Sequence, residues 1–214
     1  MNDVTDAAVD SAAPHPATRA VVLNGALSGD ETLAPVENEL LELLRETGTL
    51  VRDFQLRDIP LAHCQGCFEC WVKTPGLCKT DGDAGREITG ALIGSDLMVI
   101  LTPVTFGGYS SEIKKAMDRS ICLVSPLFRR VDGEVHHRKR YRRYPALAAV
   151  GVLHAPDEEQ ERIFRALVER NALNLDSPAT SVCVLPAGAS AETMRDRLTT
   201  SLEPVLGHLA GRAA

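Results

Sequence analysis

Cys64, Cys67, Cys70 and Cys78 follow one another as C-x2-C-x2-C-x7-C, so four of the six cysteines in the chain fall within fifteen residues. A compact C-x2-C-x2-C run lets one tight loop wrap three thiolates round three irons of a [4Fe–4S] cube, with the fourth ligand arriving from farther along. Gly66 and the Pro75-Gly76 turn supply the flexibility and the reversal that such wrapping needs. The same four thiols could close a tetrahedral zinc site, or serve as thiols or disulfides without metal. Cys122 and Cys183 lie in apolar runs and read as small core residues. Trp71, the only tryptophan, follows the third cysteine and reads as an anchor for the loop or as a ring beside a bound cofactor.

A second stretch with chemical potential is TPVTFGGYSSEIKKAMDR (residues 102–119). A strand breaks there at Pro103, and Gly107 and Gly108 leave backbone free of side-chain bulk. A planar ring can approach such backbone and take hydrogen bonds from its amides, while Phe106 or Tyr109 offers an aromatic face. An ordinary glycine-containing turn into a helix, capped by Ser110 or Ser111, fits the same letters.

These residues need a frame. RAVVLNG (residues 19–25), residues 49–56, DLMVILTPV (96–104), ALAAVGVL (146–153) and TSVCVL (180–185) read as strands. Helical spacing lies between and after them: a Leu33–Val36–Leu40–Leu43–Leu44 stripe, residues 83–94, a face of Ile113, Met117 and Ile121, residues 157–174 and residues 191–210. Asp81 and Asp83 read as caps of the second helix. Residues 123–145 look irregular and basic. Five strands alternating with helices predict an α/β fold, an open, doubly wound five-stranded parallel sheet. Ligands of such sheets sit beyond the carboxyl ends of the strands, which points to residues 25–32, 102–110 and 151–157.

The chain has 214 residues, 44% of them apolar and 24% charged, with a formal net charge of −6. That is too apolar for a disordered chain, and its mild acidity gives no general reason to bind nucleic acid or membrane. No stretch approaches the roughly 18 apolar residues that span a bilayer. Residues 1–18 carry acids but no Lys or Arg and lack the apolar core of a signal peptide, so they read as a disordered tail before one domain at 19–214. A cytoplasmic, reducing setting follows, in which clustered thiols more often mean metal or redox chemistry than disulfides.

The Gly-Gly loop with its helix resembles the flavin-binding segment of the flavodoxin-like NAD(P)H-dependent FMN reductases. CQGCFECWVKTPGLCKTDGD (residues 64–83) resembles the cysteine segment of a branch that includes the iron–sulfur flavoproteins. The resemblance covers residues 19–210. It implies a flavodoxin-like sheet with a cysteine-rich loop and a basic insertion, bound FMN, and electrons taken from NAD(P)H or a ferredoxin-type donor. A small molecule or redox protein would be the acceptor, and the chain would form a homodimer or homotetramer. The implied flavin contacts are Pro103, Val104, Thr105, Phe106, Gly107, Gly108 and Tyr109, with His154 at the rim and the four clustered cysteines as cluster ligands.

Relatives hold the FMN phosphate in a polar loop opening the first helix, where free amides and the helix dipole favour an anion. Here Ser28 and Thr32 can donate, but no Arg is present in the loop and Asp30 and Glu31 stand beside them. A charge ~4 Å from a phosphate repels it by about 1 kcal/mol in water and by several at lower dielectric. If FMN binds, both carboxylates should point outward. Ser28 and Glu31 also spell an S-x-x-E capping box, which would use the same amides.

FRRVDGEVHHRKRYRRYP (residues 128–145) holds seven Arg or Lys against two acids. It reads as an oligomer contact, or as a site for a nicotinamide 2′-phosphate at Arg138, Lys139, Arg140, Arg142 and Arg143. His136 and His137 read as solvated. The leading expectation is an FMN oxidoreductase in which the cofactor carries the reaction, since no acid, base or nucleophile stands out. A one-electron carrier without a substrate, and a thiol or metal redox sensor on the same scaffold, are the alternatives.

Overall fold

The computed structural model describes residues 17–213, so all but the last two residues of the expected tail at 1–18 lie outside it. The chain runs β1 (Arg19–Asn24), α1 (Ala34–Glu46), β2 (Leu50–Gln55), α2 (Glu69–Val72), α3 (Gly85–Ile93), β3 (Leu97–Pro103) and α4 (Ser111–Arg119). A hairpin of β4 (Val124–Val131) and β5 (Glu134–Lys139) follows, then β6 (Ala146–Leu153), α5 (Glu158–Asn174), β7 (Thr180–Pro186) and α6 (Ala191–Ala213). Five strands pair in parallel in the order β2-β1-β3-β6-β7, the flavodoxin-like arrangement that the sequence predicts.

The central strands are apolar throughout because both faces are covered: all eight residues of β6 are buried, as are the first six of β3. Alternate side chains feed two cores. Val22, Val99 and Ala148 pack with Leu40 and Leu44 of α1 and Leu198 and Leu202 of α6. Val21, Ile100 and Ala149 pack with Ile88 of α3, Ile113 of α4 and Phe164 of α5. From β1 the chain crosses to the edge strand β2 and returns to β3 on the other side of β1. The strand order therefore reverses between β1 and β3, and sheets of this kind take ligands in the crevice beyond the carboxyl ends at that point.

The irregular reading of residues 123–145 is corrected: 124–139 form an antiparallel hairpin, with Val131 opposite Glu134. Its two-residue turn is Asp132-Gly133, with φ of 49° and 86°, the left-handed pair that a type I′ turn requires. The Asp-Gly signal was present in the sequence but lay between arginines that obscured the strand alternation. Among the described residues no helix is long and apolar enough to cross a membrane.

Candidate functional site

Gly25 continues β1 by donating its N–H to Leu101 O at 2.8 Å. A Cβ at this position would overlap Ile113 and the Ser110 hydroxyl, so glycine lets the loop after β1 lie against the start of α4. Ser110 is buried and caps that helix, accepting from Ile113 N–H at 3.3 Å, while its own N–H donates to Thr102 Oγ1 at 3.0 Å. The loops after β1 and β3 thus form the two walls of the crevice.

On the first wall Ser28 and Thr32 are both exposed. Thr32 donates its N–H and its hydroxyl to Asp30 Oδ1 at 2.9 and 2.6 Å. Those two bonds hold the Asp30 carboxyl below its usual range. Asp30 therefore forms a local, exposed turn with Thr32, and Glu31 points outward, its side chain 72% exposed. The expected capping box is absent. Pro35 in the first turn of α1 fixes the helix start, Leu33 is the N-cap, and Ser28 lies too far upstream to cap anything.

Arg57, just beyond β2, supplies the charge that the loop itself lacks. Its Nη1 donates to Leu27 O at 3.3 Å and Asp30 O at 2.9 Å and lies 3.4 Å from Glu31 Oε1. A guanidinium thus props the loop and offsets its two carboxylates.

On the second wall Pro103 ends β3 and Val104 N–H donates to Val152 O at 2.8 Å. Thr105 and Gly108 exchange two backbone hydrogen bonds, of 3.2 and 2.9 Å. Phe106 and Gly107 turn the chain between them with φ of 51° and 74°. Gly107 donates its N–H to Gln160 Oε1 at 3.3 Å, and a Cβ on it would stand 2.5 Å from Ile163 Cγ2. The amides of Thr105, Gly107 and Gly108 are thus engaged within the protein, and the turn is clamped on α5. It holds Phe106 90% exposed at the crevice mouth.

Tyr109 turns the other way. Its ring meets Phe164 edge-on at 5.7 Å, its hydroxyl accepts from Asn171 Nδ2 at 2.9 Å, and burial pushes its pKa to about 12, against that hydrogen bond. His154 is exposed at the end of β6, on the same edge of the sheet.

Gly108 and Tyr109 also line a cavity of about 730 Å³ whose other wall carries Cys64, Cys67, Cys70 and Cys78. Cys64 and Cys67 are exposed, Cys78 is half-buried and Cys70 is buried. Burial, then the neighbouring Cys78, Cys64 and Cys67, push the Cys70 thiol upward. Gly66 and Phe68 have φ of 62° and 57°, and these left-handed turns bring three cysteines of a short run to one space. Among the described residues no three His, Cys, Asp or Glu side chains converge as the ligands of a single metal ion do. The four cysteines line one cavity instead.

The neck of this loop is closed by a buried ion pair that the sequence reading missed. Arg119 donates to Asp83 Oδ2 and Oδ1 at 2.6 and 3.0 Å, and to Ala62 O at 3.0 Å and Thr80 O at 3.5 Å. Asp83 in turn accepts from the N–H groups of Ala62 and Gly85. Burial alone would raise the Asp83 carboxyl, but Arg119 and the two amides hold it at about 2. Asp83 therefore does more than cap a helix, and the helix itself starts at Gly85. Trp71 pins the loop from the side, donating Nε1 to Ile121 O and Val124 O at 3.1 Å each. It stacks on Phe68 and leans on His137.

Cys122 and Cys183 are core residues, 0% and 1% exposed. The basic hairpin does not gather its cations at the crevice. Arg138 and Arg140 bind backbone carbonyls, Lys139 pairs with Asp176 and Arg143 with Asp96. His136 bonds Glu134 and His137 bonds Ser125 O, so both imidazoles are structural and neither is merely solvated.

The sheet, its strand order and the two loops that meet at the switch point define a flavodoxin-like α/β protein. The profile of the family described as NADPH-dependent FMN reductase matches residues 18–182, and the chain belongs to that family. It is 35% identical over 92 residues to an iron–sulfur flavoprotein of Methanocaldococcus jannaschii; the match spans 43% of this chain and 45% of that protein. The fold is similar to an NAD(P)H:quinone oxidoreductase from Methanothermobacter marburgensis, with a TM-score of 0.65 at 12% identity over 90% of this chain and 98% of that one. It is also similar to an FMN-dependent NADH-azoreductase from Bacillus anthracis in complex with FMN, with a TM-score of 0.62 at 13% identity over 92% and 100% of the two chains.

Proposed function

We propose that this chain is an FMN-dependent oxidoreductase that takes electrons from NAD(P)H and passes them to a small molecule or redox protein. The observation that carries this reading is the meeting of two loops at the switch point, where Gly25 seats the first against Ser110 of the second. Bound FMN would supply hydride acceptance and electron release, chemistry that the side chains lack. Ser28 and the loop amides would receive its phosphate, with Thr32 held in place by Asp30 and Arg57 offsetting the acids. Pro103, Val104, Thr105, Gly107 and Gly108 would form the wall for its ring, Phe106 would cover it from water, and His154 would lie at the rim.

The four cysteines fit a [4Fe–4S] cluster by donor type, and all four line one cavity. A cube takes one thiolate at each of four irons, so its ligands ring a space, whereas those of one zinc ion crowd about a point. The named similarity to an iron–sulfur flavoprotein supports the same reading. Such a cluster would let the protein exchange single electrons with a partner. Free thiols of this kind also suit a cytoplasmic location.

The test is titration of the purified chain with FMN, followed by NADH and NADPH oxidation under air-free conditions with an added acceptor. About one FMN per chain and turnover dependent on it are expected. Glu31→Arg should tighten FMN by about threefold or more, since it reverses a charge beside the phosphate loop. Failure to bind FMN at any concentration tried overturns the reading. Binding without NAD(P)H oxidation would leave a flavodoxin-like carrier instead.

A further inference from the structure

Arg119 is the largest of the fully buried side chains, and a guanidinium in such a place must be matched by partners on every side. Asp83, Ala62 O and Thr80 O match one side. Arg119 also lines the cysteine cavity, and its Nε is buried without a hydrogen-bond partner. Cys78 lines the same cavity. Gly85 is compatible with this placement because it has no Cβ, which would overlap the guanidinium.

The other cations of the cavity are differently placed. Lys79 pairs with Glu69 and Lys114 with Asp118, and both lysine side chains are substantially exposed, at 42% and 63%. Water screens them. Arg119 alone among these three brings a desolvated positive charge to the thiols, and its side chain is 1% exposed.

We propose that Arg119 is a positioning residue of the cysteine site: it closes the neck of the loop through Asp83 and brings a buried positive charge to the cavity that the four cysteines line, meeting the negative charge that thiolate ligands bring. This rests on the reading of the four cysteines as cluster ligands. A cluster held by thiolates becomes more negative on reduction, and a buried positive charge beside it favours the reduced form. Arg119 therefore raises the reduction potential of the cluster, while Asp83 tempers that effect by neutralising part of its charge.

The full chain, reconstituted air-free with ferrous iron and sulfide, decides the matter through iron and sulfide counts and an EPR-monitored redox titration. Arg119→Gln should shift the midpoint potential to more negative values, and Asp83→Asn should shift it to more positive values. Arg119→Lys should fall between Arg119→Gln and wild type. The opposite signs are the signature, because mere loosening of the neck would move both variants the same way. Shifts of one sign, or none, overturn the role of Arg119 while leaving the cluster in place. Should Arg119→Gln fail to fold, Asp83→Asn alone decides: a positive shift supports the proposal and its absence overturns it. Wild type that takes up no iron and sulfide overturns the cluster reading, and this inference with it.

Discussion

Gly107 has two constraints at once. Its φ of +74° suits a left-handed residue, and a Cβ would stand 2.5 Å from Ile163 Cγ2. Gly107→Ala should cost roughly 2–4 kcal/mol, the sum of left-handed strain and overpacking against α5. Gly108→Ala is the control: its Cβ would meet only Thr105 O, at 3.4 Å, and less than about 1 kcal/mol should be lost. Urea unfolding of the two variants separates them, and equal losses would refute the clamp on Ile163. Residue type and spacing made the glycines and the four cysteines conspicuous in the sequence. Arg57 and Arg119 were not, because their partners lie 27 and 36 positions away. An arginine after a strand or at a helix end looks like any surface cation until the fold brings a carboxylate or a carbonyl to it. The turn of Asp30 with Thr32 was not legible either, since nothing in the composition ranks a local side-chain bond against a free carboxylate.

Between elements, the contact of α1 with β2 carries the clearest response to pH. Gln55 of β2 bridges Glu37 of α1 and Asp53 of its own strand, and Asp53 Oδ1 is buried without a partner. Burial lifts Asp53 to about 6, against the Gln55 hydrogen bond and helped by the charge of Glu37. A carboxyl raised in the folded state favours folding only while protonated. Its contribution is therefore full below about pH 4 and is lost as pH rises through about 6. Asp83 acts in the opposite sense: held at about 2, it stabilises above about pH 4 and ceases to do so as pH falls towards 2. Asp53→Asn should leave stability near that of wild type at about pH 4.5 and exceed it at about pH 7.5, by denaturant unfolding at each pH. A difference that does not grow with pH would remove Asp53 as the cause. The parallel strands and their helices were legible in the sequence because full burial writes itself as unbroken apolar runs. The hairpin was not, since it lies outside the main sheet and its outward residues are arginines, so neither burial nor alternation marks it.

For the whole molecule, charge is divided unevenly. Residues 128–145 carry +5 of a total of −6, leaving −11 on the rest of the chain. Most of the basic side chains there turn to partners in their own chain, which weakens a case for a nicotinamide phosphate site built from them. The hairpin instead presents Leu127, Phe128 and Val135 at 57%, 58% and 60% exposure. Exposed apolar side chains set among arginines on an acidic protein are the composition of a protein contact. Because Trp71 and Phe128 both lean on His137, such a contact would adjoin the cysteine loop. The chain should therefore behave as a homodimer or homotetramer in light scattering coupled to size exclusion, with dissociation favoured by salt to the extent that the arginines contribute. Leu127→Glu together with Val135→Glu should yield a monomer that still binds FMN, since neither residue lines the crevice. A wild-type monomer at tens of micromolar would refute the assembly. A double variant that stays associated would show that assembly uses another face, leaving the hairpin patch to an outside redox partner.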